Sequence, residues 1–170
     1  MNAEGEIRPL RPEEVPEAAA LVRESFATVA EEFGITEENA PRFTAFAVTA
    51  ERLRWQMEQG RPMFALFAEG EMAGYYSLDP GEGDACELSN LCVRPGYRHR
   101  GMGRALLEHA VAQARERGCA RMPLGLVEEN QRLRAWYEAW GFSHIGCKKF
   151  SFFPSPAGTW SGPCNCLKPP

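Results

Sequence analysis

The sequence contains no apolar run approaching the roughly 20 residues needed to cross a bilayer; stretches such as FTAFAVTA, residues 43–50, are far shorter. The first residues, MNAEGEIRPLRPEE, lack the basic-then-apolar order of a secretory leader. Together these absences predict a cytoplasmic protein that does not engage a membrane. An excess of positive charge is missing too. A formal net charge of -4 with 25% charged residues offers no general attraction to nucleic acid or anionic lipid, so any basic site must be local. The six cysteines, Cys86, Cys92, Cys119, Cys147, Cys164 and Cys166, include no C-x-x-C pair. No His/Asp/Glu spacing suits a metal centre. Reduced, structural thiols and no metal are therefore expected. His99 and His144 are expected at the surface or in packing rather than as ligands. There is no internal repeat and no low-complexity segment.

What remains is an ordinary composition. At 170 residues with 44% hydrophobic residues, the chain has room for one domain with its own core. Residues 6–15 read as a strand running into a helix, and Ala18, Leu21, Val22, Phe26, Val29 and Phe33 recur at helical spacing up to Gly34. A second helical stretch is expected between 36 and 60. RPMFALFAEG and EMAGYYSLDPG flank a turn and predict a hairpin, after which ACELSNLCVRP reads as a strand stopped by Pro95. Leu106, Leu107, Ala110, Val111 and Ala114 form one helical face closed by Gly118. A strand over 119–130, a short helix with Leu133, Trp136, Tyr137 and Trp140 as its stripe, and a strand over 142–153 complete an α/β order.

The most informative segment is VRPGYRHRGMGRALLEHAVAQARERG, residues 93–118, which passes from a strand through an arginine- and glycine-rich turn into a helix. The first N–H groups of a helix have no intrahelical partners and sit at the positive end of its dipole, so Gly101 and Gly103 can bring bare backbone close to an anion. Arg98, Arg100 and Arg104 add charge suited to a pyrophosphate. A Walker loop is excluded because Met102 and Gly103 stand where Lys and Ser/Thr are required, and a dinucleotide fingerprint fails at Leu106.

Val93, Pro95, Arg98, Gly101 and Gly103 spell V-x-P-x-x-R-x-x-G-x-G, which resembles the acyl-CoA pyrophosphate loop of the GCN5-related N-acetyltransferases. Asn130 with Trp136-Tyr137-Glu138-x-x-Gly141-Phe142 is similar to that family's second signature, and the order of elements from about residue 7 to 153 matches its fold. The resemblance implies a GNAT-like mixed, mostly antiparallel sheet flanked by helices. It also implies acetyl-CoA as co-substrate, with the backbone of Arg98, His99, Arg100, Gly101, Met102, Gly103 and Arg104 wrapping the pyrophosphate.

Acetyl transfer to an amine needs a proton acceptor, a place for the oxyanion and a proton for the departing thiolate. Glu87, alone in an otherwise apolar strand, is the candidate base, since desolvation raises a carboxyl toward a useful range; several family members carry a glutamate there. Strand alternation groups Glu87 with Leu91 and Val93 unless a bulge intervenes, as it does in most of the family. The resemblance assigns the main chain of Leu91, Cys92 and Val93 to the pantetheine arm and the oxyanion, and Tyr137 to the acid role. Asn130 reads as an N-cap, and in the family also touches the cofactor arm. Cys92 raises an acyl-cysteine alternative, although nothing basic adjoins it in sequence.

The expected function is N-acetyl transfer by direct attack in a ternary complex, to a small-molecule or peptide amine. The alternative is an acyl-CoA-binding or sensing domain without turnover. Nucleic-acid binding through Arg94, Arg98, Arg100 and Arg104 is disfavoured by the net charge. Residues 1–153 form the expected domain. Residues 154–170, with no strand pattern, are expected as an irregular tail; codons permitted from Gly158 onward, read one frame over, translate as YMERALQLPE, so a frame slip would account for them. The sheet edge beside 142–153 would then await another chain, as in a homodimer.

Overall fold

The computed structural model describes residues 5–81, 83–127, 129–148 and 157–163, and from residue 144 onward the backbone alone. Strands β1 (Glu6–Pro9), β2 (Met63–Ala68), β3 (Glu71–Pro80) and β4 (Cys86–Val93) form an antiparallel sheet in that order. Strands β5 (Arg121–Val127), β6 (Ser143–Lys148) and β7 (Ala157–Pro163) form a second, in the order β5-β7-β6. The sheets meet where Ala85 bridges Arg121 in parallel and Asp84 O accepts from Ala120 N–H at 2.7 Å. From there β4 and β5 run the same way without a ladder between them among the described residues.

Helix α1 (Val15–Glu32) leads to α2 (Thr44–Ala47) and α3 (Ala50–Glu58), which cover one face of the first sheet. The single helical stretch expected over 36–60 is divided, because Val48 and Thr49 are extended and the Thr49 hydroxyl caps α3 by accepting from Arg52 N–H at 3.1 Å. Helix α4 (Met102–Glu116) packs on the opposite face through Leu106, Leu107, Ala110 and Ala114. Its approach is close enough to require glycine beneath it, since a Cβ on Gly74 would lie 2.7 Å from Leu106 Cδ1. Helix α5 (Gln131–Ala139) lays Leu133, Trp136 and Tyr137 on the same core.

Two expectations are corrected. Cys86 and Cys119 are joined by a disulfide with a Cα–Cα distance of 6.0 Å, where reduced thiols were expected. The start of β4 and the turn after α4 converge at the Asp84–Ala120 contact, which sequence spacing does not reveal. Cys92 is a free, buried thiol. The tail is not irregular throughout either: Ala157–Pro163 forms β7, inserted between β5 and β6 and paired antiparallel with both. Small residues and a proline hide a strand from a pattern reading, and here two neighbouring ladders supply the order. The edge of β6 facing β5 is thus covered from within the chain, which removes the argument for a homodimer built there. Residues 149–156 and 164–170, with Cys164 and Cys166, lie outside the described residues.

Candidate active site

The site grows from one irregularity. Tyr75 pairs with Cys92 but Ser77 with Ser89, so β4 carries one residue more than β3 across this step, and Asn90 takes a left-handed φ of 56°. This bulge resets the alternation. Before it, Cys86 and Leu88 face the α4 core; after it, Val93 faces that core while Cys92 joins the α1 side. Glu87 and Ser89 therefore share a face with Cys92, whereas simple alternation would have grouped Glu87 with Leu91 and Val93.

The bulge stands between two cavities. One, of about 240 Å³, fills the gap between β4 and β5, with Leu88, Leu91, Leu124 and Leu126 on its walls and Asn130 and Tyr137 at its side. The other, also about 240 Å³, is polar and holds Glu87 with Asp79, Arg61, Arg52 and Gln56. Arg42, Thr44 and Asn90 line both, so the cavities adjoin at the bulge.

The edge of β4 is open toward the first cavity. Arg94 N–H donates to Ala73 O at 2.7 Å, and the ladder alternation that follows turns the main-chain groups of Cys92 and Arg94 to β3 and those of Val93 outward. The main chain of Cys92, expected with Leu91 and Val93 on the cofactor arm, is taken by this ladder.

At the end of β4 the Arg-Gly turn has a left-handed His99, φ 64°, and a left-handed Gly101, φ 81°, around Arg100. Such alternation gathers successive N–H groups into an anion-binding hollow. The first intrahelical bond runs from Ala105 N–H to Gly101 O at 3.1 Å, leaving the N–H groups of Met102, Gly103 and Arg104 without intrahelical acceptors. At Gly103 an added Cβ would meet nothing closer than Trp136 at 3.9 Å, so neither packing nor a positive φ demands glycine there. A glycine there leaves the backbone open to close approach.

Arg98 behaves otherwise than expected. Its Nε donates to Val93 O at 3.1 Å, Nη1 to Thr28 Oγ1 at 3.0 Å and Nη2 to Ser25 O at 3.0 Å, and its N–H donates to Pro95 O at 3.3 Å. Its side chain ties α1 to β4. Arg100 and Arg104 remain at the surface in ion pairs with Glu69 at 3.3 Å and Glu108 at 3.2 Å. Such pairs are worth at most about 1 kcal/mol and exchange readily for a phosphate.

The Glu87 carboxyl is raised above the usual range by partial burial first and by the Asp79 carboxylate second, against a lowering by Arg61. Burial also raises the Tyr137 phenol, which packs against Trp136 and Phe142. The Cys92 thiol is pushed up to about 12 by burial, which favours its un-ionised form. Asn130 caps α5, its Oδ1 accepting from Leu133 N–H at 3.3 Å. The structure thus brings Leu91, Asn130 and Tyr137 to one cavity and Glu87 to the other.

Sequence reasoning missed Arg42, Arg52, Gln56, Arg61 and Asp79. Arg52 and Gln56 are four apart on α3 and so share a face. Asp79 pairs with Arg61 at 3.0 Å because the β2–β3 register brings them opposite, information that exists only once the hairpin is aligned.

The chain matches the model of the acetyltransferase (GNAT) family over residues 27–142. An uncharacterized N-acetyltransferase of Lactobacillus delbrueckii subsp. lactis is 27% identical over 144 residues, 78% of this chain and 80% of that protein. The ribosomal protein bS18-alanine N-acetyltransferase of Escherichia coli is 33% identical over 95 residues, 56% of this chain and 63% of that enzyme, so the match spans under two thirds of its length. Among solved structures, the PaiA N-acetyltransferase of Thermoplasma acidophilum in complex with coenzyme A superposes with a TM-score of 0.77 at 21% identity, covering 96% of this chain and 99% of that one. The Escherichia coli ribosomal-protein-S18-alanine N-acetyltransferase gives a TM-score of 0.75 at 22% identity over 94% of each chain. With its family model spanning most of the residues and its fold shared with these enzymes, the chain belongs to the GNAT family of acetyltransferases.

Proposed function

We propose that this acetyltransferase moves acetyl from acetyl-CoA to a primary amine by direct attack in a ternary complex. The observation that carries the reading is the open edge of β4 above the apolar cavity, with the glycine-entered end of α4 beside it. An extended thioester arm pairs with such an edge as an added strand. The N–H groups of 99 to 104 have no main-chain acceptor among the described residues and can take a pyrophosphate, and the outward main chain of Val93, with Leu91 on the bulge, meets the developing oxyanion. Asn130 and Tyr137 border the same cavity.

An amine of the lysine kind has a pKa near 10.4 and arrives protonated. Glu87, raised by burial, takes that proton directly or through water from the polar cavity. Tyr137, held protonated by burial, donates a hydrogen bond to the departing sulfur. A thiol has a pKa near 8.5, so a phenol held above its own reference of about 10 does not end ionised in this exchange, and the thiolate takes its proton from solvent. A small amine and a peptide amine both fit this chemistry. Incubation with acetyl-CoA and an amine panel, following free thiol, tests the proposal: release that depends on the amine is expected, and no amine-dependent release contradicts it.

A further inference from the structure

The polar cavity has a charge arrangement that a simple amine does not use. Arg61 is neutralised by Asp79 at 3.0 Å, whereas Arg42 and Arg52 have no ion-pair partner among the described residues. Glu87 and Asp79 enter from adjacent strands, and the two arginines come from the segment before α2 and from α3. The Gln56 side chain lines the same space, 7% exposed, and its Oε1 has no hydrogen-bond partner among the described residues. A buried acceptor of that kind is costly unless something donates to it. The cavity therefore offers two guanidinium groups for an anion, and carboxylates with an orphaned carbonyl for a cationic nitrogen. Its volume of about 240 Å³ lies below the roughly 300–1,000 Å³ of pockets for drug-sized ligands.

We infer that the acceptor is a small amine that also carries a carboxylate, of the free amino-acid class, with Arg42 and Arg52 holding the carboxylate and Gln56 and Glu87 receiving the ammonium. This rests on the acetyl-transfer reading for calling the ligand an acceptor. Guanidinium binds carboxylate through paired N–H donors, and that pairing is lost if the carboxylate is amidated or removed. A peptide would present an amide at that place and lose the same contact.

Calorimetric titration with the protein amino acids, their carboxamides and their decarboxylated amines tests the inference. At least one free acid is expected to bind on the order of tenfold or more tighter than its amide and its amine. Arg42→Gln and Arg52→Gln are expected to bring that acid down toward its amine, and Arg52→Glu to reverse the preference, in variants whose melting temperatures show them folded. Equal binding within every matched set, no binding at all, or a preference that survives in the arginine variants would overturn it. Thiol release from acetyl-CoA with the same ligands separates this inference from the broader one. Selective binding without release leaves the cavity's preference standing and removes the transferase reading, while release without any carboxylate preference does the reverse.

Discussion

Asp79 and Glu87 stand directly opposite each other on β3 and β4, with Arg61 3.0 Å from Asp79. Partial burial first, and the Asp79 carboxylate second, disfavour the charged form of Glu87, against a lowering by Arg61. Glu87 is the one raised. This environment supports the base role proposed for it, which its position in an apolar strand alone does not.

A pH dependence follows. The acid limb of kcat/KM is expected above the ordinary glutamate range of about 4.3. In Asp79→Asn one of the two raising influences is gone, so the limb moves to lower pH. Glu87→Gln is expected to lower turnover on the order of 10²-fold near neutral pH while CoA affinity holds. A profile unchanged in both variants would remove Glu87 from proton transfer.

Gly103→Ala separates ligand approach from folding. The added Cβ makes ordinary van der Waals contact with Trp136 and Val93 and no clash, so the melting temperature should change little, while CoA affinity is expected to fall. Gly101→Ala differs, because a φ of 81° strains any Cβ by roughly 1–2 kcal/mol and affects stability as well. Calorimetry with CoA beside thermal melts distinguishes the two.

Arg98→Ala is expected to act through stability. Removing three side-chain hydrogen bonds that join α1 to β4 should cost about 2–3 kcal/mol in urea unfolding, with CoA affinity of the folded fraction little changed. A large loss of CoA affinity at unchanged stability would return Arg98 to the phosphate site.

Tyr137→Phe should preserve the packing of α5, since the ring keeps its contacts with Trp136 and Phe142. Loss of one donor to the departing sulfur is expected to lower turnover on the order of 10²-fold. Wild-type turnover in this variant would make Tyr137 a core residue only.

Much of the fold and part of the site are legible in the amino-acid sequence because the informative features are local. The glycine turn, the stripe of α4 and the Asn130 cap each depend on residues within a turn or two of one another. Glu87 draws notice in the sequence as a charge in an apolar strand, but its partial burial beside Asp79 is visible only in the fold. The motif position of Arg98 suggests a ligand, while its three side-chain partners lie on α1 and at the end of β4, some 70 residues away for two of them, which the sequence does not show. The polar cavity is invisible for the same reason: Arg42, Gln56, Arg61 and Asp79 come together only through the β2–β3 register and the packing of α3. Strand β7 escapes because glycine, serine and proline carry no alternation, and its order comes from the ladders on either side.

The most direct test is a two-substrate initial-rate study, varying acetyl-CoA at several fixed concentrations of an accepted amine and following thiol release. Direct attack in a ternary complex predicts intersecting reciprocal plots, with Cys92→Ala still active because its thiol is buried and held un-ionised. Parallel plots, together with acetyl trapped on Cys92, would contradict it.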